Sequence, residues 1–119
     1  MAEVNFSDWG FNQVTAITGA TTLAEGDSGV VQNVTATATL TLPATVVGTS
    51  YPIRVGASGI TVTVAPNASD KIMGNGFTSA DNKALIFTSQ PVGSFVQLVA
   101  DGVNGWFVQR VHGTATRAA

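Results

Sequence analysis

The chain has 119 residues, of which only 10% are charged, with a formal net charge of −2, one His and no Cys. This length makes one domain with room for a sizeable core. The missing Cys excludes a disulfide framework and thiolate chemistry, and a single His excludes the usual zinc ligand sets. Near-neutral balance with no run of Lys or Arg argues against nucleic acid or an anionic membrane as partner.

From the N-terminus, "MAEVNFSDWG" has no basic stretch followed by an apolar run, so no signal peptide is expected. No apolar run approaches the ~20 residues of a membrane helix, and the expected product is soluble and made in the cytoplasm. Residues 1–13 hold Phe6, Trp9 and Phe11 without sustained alternation. Ordering 13 backbone positions costs on the order of 13–26 kcal/mol. Burying three aromatic rings returns only about 2–3 kcal/mol each. Residues 1–19 therefore read as an extended N-terminal arm that docks on a neighbour, with Phe6, Trp9 and Phe11 as its contacts.

From there to residue 113 the chain reads as one β-domain. Val34, Ala36, Ala38, Leu40 and Leu42 alternate with Thr35, Thr37, Thr39 and Thr41, the period of a half-buried strand. "YPIRV" sends Tyr51, Ile53 and Val55 to one face, and Pro52 predicts an edge or a strand start. "GITVTV" repeats the alternation, and the intervening "GASG" reads as a hairpin. Further strands are predicted at "GVVQN", "ALIFT", "SFVQLVA" and "GWFVQRVH", separated by turn signals such as "APNASD", "SQPVG" and "DGVNG". Short strands at this spacing predict an all-β fold, a small β-sandwich or β-barrel of jelly-roll-like type. Residues 114–119 read as a C-terminal tail.

Chemistry finds little material in these segments. His112 is the sole His, and the carboxylates sit mostly in turn contexts, where Asp usually bonds the local backbone. "EGDSG" and "DGVNG" lack the alternating oxygen-ligand pattern of a calcium loop, and no Gly-rich loop precedes a Lys. No catalytic residue, cofactor or metal is predicted, and the chain is not expected to be an enzyme. Thr37, Thr39 and Thr41, with Thr61 and Thr63, read as a half-exposed sheet face, since the pattern has no fixed period. Trp9, Tyr51, Phe77 and Trp106 are candidates for stacking on sugar rings. Trp106 and Phe107 are neighbours in one strand and so point to opposite faces. That places one ring in the core and leaves the other for a subunit contact.

The order "ATLTLPA", then "YPIRVGASGITVTVAPNASDKI", then "ALIFTSQPVGSFVQLVADGVNGWFV" resembles a β-module of tailed-bacteriophage virion proteins, over roughly Ala38 to Val111. That module occurs in fibre proteins and in short capsid decoration, or cement, proteins. With only a brief arm before it and "GTATRAA" after it, decoration is the favoured expectation. The resemblance implies a homotrimer on the outer capsid surface of the virion, bridging major capsid proteins. Trp106, Phe107 and Tyr51 are then expected at the subunit interface, and Phe6, Trp9 and Phe11 on the capsid. The alternative expectation is a receptor- or glycan-binding module of a head or tail fibre.

Overall fold

The computed structural model describes residues 13–67, 70–74 and 83–118. Among these the chain is all-β apart from one 3-10 turn, Glu25–Asp27. Six strands, β1 (Gln13–Ile17), β3 (Val30–Val34), β5 (Ser50–Val55), β7 (Lys71–Met73), β9 (Phe95–Ala100) and β10 (Gly105–His112), form one sheet. Its order is β1-β3-β5-β9-β10-β7. A second sheet holds β2 (Thr21–Thr22), β4 (Ala38–Thr41), β6 (Thr61–Ala65), β8 (Leu85–Thr88) and β11 (Thr116–Arg117), in the order β11-β8-β6-β4-β2.

The first six strands alternate between the sheets, and each runs parallel to the strand two before it. This half of the chain is a coil that adds one strand to each sheet per turn. Its corners stack as the strands do. The Thr35 N–H donates to the Ile17 carbonyl at 2.9 Å and the Gly56 N–H to the Val34 carbonyl at 2.7 Å. At the other end Leu23 donates to Thr41 and Leu42 to Ala65, both at 2.8 Å. Ladder bonds thus continue around the bends and satisfy backbone groups that a looser corner would leave bare. A Cβ on Gly56 would stand 2.9 Å from the Val34 carbonyl oxygen, so this tight corner admits only glycine. The second half of the chain returns antiparallel, β8 against β6, β9 against β5 and β10 against β9, with β7 parallel to β10.

Alternation sets which side chains meet between the sheets. Val34, Ile53, Val55, Val96, Leu98 and Trp106 of the larger sheet share one core with Leu40, Val62, Val64, Leu85 and Phe87 of the smaller. Burying side chains of this size contributes about 1.5–3 kcal/mol each.

Several expectations change here. The run from Val34 to Leu42 is not one strand: it spans the end of β3, a corner at Thr35–Thr37, and β4 in the other sheet. The inward–outward alternation passes through the corner unbroken, which is why the sequence hides it. "GASG" is not a hairpin but the link from β5 to β6, which lie in different sheets. Pro52 lies inside the central strand β5, not at an edge. Its missing donor is tolerated because the described pairing with β3 begins one residue later, at Ile53. The parallel coil differs from the antiparallel Greek keys of a jelly roll, and the two sheets keep separate edge strands instead of closing into one barrel. The expected arm boundary also moves, because β1 belongs to the larger sheet and Ile17 to its core. So does the expected tail, where β11 pairs with β8. The predicted strands at "SFVQLVA" and "GWFVQRVH" pair antiparallel as β9 and β10 across the "DGVNG" turn.

Candidate interaction surface

Trp106 and Phe107 take opposite sides of β10. Trp106 has no accessible surface, whereas Phe107 keeps 37% of its own. The Trp106 ring packs on Tyr51 with centroids 5.2 Å apart and planes tilted by 53°. Tyr51 is equally buried, and its hydroxyl donates to the Ala24 carbonyl at 2.8 Å. Burial, with smaller contributions from the charges of Asp27 and Glu25, pushes its phenol up to about 12. The expected interface role of Tyr51 and Trp106 is therefore corrected: both rings are buried in the chain's own core, out of a neighbour's reach. The same burial removes them as sugar-stacking platforms. Of the expected interface residues, Phe107 alone faces outward. Phe6, Trp9 and Phe11, with the sugar candidate Phe77, lie outside the described residues.

The outward faces of the two sheets differ in chemistry. On the smaller sheet, Thr22, Thr39, Thr41, Thr61, Thr63, Thr88 and Thr116 fill the outward positions, interrupted by Ala65 and Ile86. Such a face is hydrated through its hydroxyls and suits water. On the larger sheet, register aligns Val99, Phe107 and Met73 in one cross-strand row. The next row sets Pro52, Gln97 and Arg110 side by side, and the third sets Arg54, Phe95 and His112. The rings of Phe95 and His112 stack at 5.8 Å, and the Arg54 guanidinium donates to the Asn33 amide oxygen at 2.7 Å. A β-bulge at Gln109 shifts the register so that Arg110 and His112 both face outward beside Gln97 and Phe95.

At the end of the molecule nearest Phe107, four loops are tied together. Thr45 is the knot: its hydroxyl donates to the Gly105 carbonyl at 2.6 Å and accepts from the Gly102 N–H at 2.9 Å, while its own N–H donates to Asp70 at 3.0 Å. The Asp101 carboxylate accepts the N–H groups of Val103, Asn104 and Gly105 at 2.8 to 3.0 Å. Those bonds, that from Gly105 first, hold its carboxyl below the usual carboxylate range. Ser28 and Gly29 bond to Ser50 and so attach the 23–29 loop to the same end. Val47 and Val103 stand on this rigid platform at 74% and 81% exposure, with Val46 at 40%.

These valines and the row beside Phe107 escaped the sequence reading. Their signal was β-branched apolar residues inside turn segments, in "TVVGTS" and "DGVNG", where polar residues are the norm. Such a surface offers apolar contact on a firm support. Among the described residues no group of three or more His, Cys, Asp or Glu side chains gathers to hold a metal ion. Compared with family models, curated proteins and solved structures, the chain matches none.

Proposed function

We propose that this chain is a structural virion protein of a tailed bacteriophage, a trimeric capsid decoration protein. It is made in the host cytoplasm and, on the outer head surface, bridges major capsid proteins. Its two sheets act as a small β-sandwich that presents the outward face of the larger sheet to sister copies. The N-terminal arm, through Phe6, Trp9 and Phe11, grips the shell. The family-like motif order supports the virion assignment. The observation that carries the assembly is Phe107, an aromatic ring held outward on a β-strand, in line with Val99 and Met73. A subunit contact of standard size, ~1,600 Å², is enough for a stable assembly. Threefold repetition lets weak arm contacts act together.

The test uses purified protein and heads lacking decoration. The expected result is a trimer by light scattering that binds the heads. Deleting residues 1–12 leaves the trimer intact and abolishes binding. A monomer at every concentration overturns the assembly, and normal binding by the truncated chain overturns the arm.

A further inference from the structure

The turn between β9 and β10 carries chemistry that the assembly does not use. In "DGVNG", Gly105 follows Asn104. An asparagine followed by glycine is open to attack by its own backbone, because glycine has no Cβ to hinder the approach of its nitrogen. The Gly105 nitrogen bonds to the side-chain carbonyl carbon of Asn104, closing a five-membered imide, and the side-chain amide leaves as ammonia. Water then opens the imide at either carbonyl, giving aspartate or isoaspartate, so the sum is one amide exchanged for one carboxylate. Asn104 is exposed, and water reaches it. In the folded chain, however, the attacking nitrogen is held. Its N–H donates to the Asp101 carboxylate at 3.0 Å. On the other side of the same peptide, the Asn104 carbonyl accepts the Lys71 N–H at 2.9 Å.

Ring closure needs this peptide plane to turn about the Cα–C bond of Asn104, and that turn breaks both bonds. It also moves Gly105, whose carbonyl accepts the Thr45 hydroxyl at 2.6 Å and whose Cα lies close against the backbone of Lys71. A carboxylate facing the Gly105 N–H further opposes loss of its proton, since the anion formed would meet a like charge. We propose that Asn104 is a site of spontaneous deamidation, held unreacted by the bonds of Asp101 and Thr45 and converted only when the 101–105 loop opens. The change is one-way. Isoaspartate adds a carbon to the backbone, so the N–H groups of residues 104 and 105 no longer converge on Asp101, and a second carboxylate stands beside the first. Conversion therefore loosens the Thr45 knot that supports Val47 and Val103, and with it the bond that ties β7 to the turn.

Peptide mapping by mass spectrometry tests this on the full chain, aged in mildly alkaline buffer with and without urea. Trypsin releases Asn104 on residues 84–110, apart from Asn75, which Gly76 also follows, on residues 72–83. Conversion at Asn104 is expected to run at least about tenfold slower in the folded chain than in urea. Asn104→Ser abolishes it. Thr45→Val, checked for native circular dichroism, is expected to speed conversion in the folded chain roughly three- to tenfold, while Thr45→Ser, which keeps the hydroxyl, stays near the wild-type rate. In urea Thr45→Val changes nothing, because the unfolded chain does not bring position 45 to the turn. Asp101→Ala, which removes three bonds, is expected to speed conversion in the folded chain at least about tenfold. No conversion at Asn104 in urea overturns the site. Equal rates in folded and unfolded chains, or a folded Thr45→Val as slow as the wild type, overturn the lock. Should Thr45→Val fail to fold, Asp101→Ala and the wild-type comparison decide by the same criteria.

Discussion

Two adjacent aromatic residues have opposite duties. Trp106 fills the core against Tyr51, so Trp106→Ala is expected to cost about 3–5 kcal/mol in urea unfolding. Phe107→Ser is expected to cost the isolated fold under about 1 kcal/mol while weakening association. Comparable losses of fold stability from the two would contradict the assignment of faces. Among the described residues the buried Trp106 indole N–H meets no acceptor. Tyr51 gives the fold a pH dependence. Its phenol is pushed up to about 12 in the folded chain, against an ordinary value near 10. The folded state then holds its proton more tightly than the unfolded state. The stability linked to it is complete below pH 10 and lost as pH rises from about 10 towards 12. Melting temperature followed across that window should fall, and Tyr51→Phe should flatten that part of the fall. The same variant removes the bond to the Ala24 carbonyl and is expected to cost about 0.5–1.5 kcal/mol at neutral pH.

Strands were legible wherever period two was clean. Val62 and Val64, Leu85 and Phe87, and Val96 and Leu98 point inward as their alternation required. Which sheet each strand joins was not legible. A corner of three residues keeps the same inward–outward parity as a continuing strand, so Val34 to Leu42 read as one element. The coil also has turns of unequal length: Gln13 pairs with Val30, but Gln32 pairs with Ile53. Loops of different size between the strands erase the fixed period that would have betrayed the winding. Elements pressed this close depend on backbone fit. Gly105 opens β10 at φ 145°, and a Cβ there would collide with the backbone of Lys71 on β7. Gly105→Ala is expected to destabilise the chain by at least about 2 kcal/mol and to free β7 from the sheet edge. Hydrogen exchange would show this as faster exchange across Lys71–Met73, with β5 and β9 changed least.

For the whole molecule, the asymmetry between a threonine face and a face of Phe107, Val99, Arg54 and Arg110 is what gives the proposed assembly its direction. Folding coupled to such an assembly makes stability depend on concentration. Melting temperature should rise by about 3–6 °C per tenfold increase in protein. A melting temperature independent of concentration would separate folding from association. The candidate surface was only partly legible. Phe107 was marked by its position next to Trp106, but Tyr51 and Trp106 were placed at an interface although they lie in the core. Aromatic residues serve both settings, and a single sequence does not show how much inward volume a second sheet leaves to fill.

What the residues decided alone is the β character of the chain, the inward or outward side of most strand positions, and the poverty of charge that makes association plausible. These follow from local rules, since successive side chains on a strand point to opposite faces whatever the topology. Tertiary structure decided which strands are neighbours, and so which outward residues share a row. It also tied Thr45 to Asp70, Gly102 and Gly105, though the chain holds them far from it in sequence. Pairing between distant segments depends on where corners and loops bring the backbone, and no local pattern encodes that.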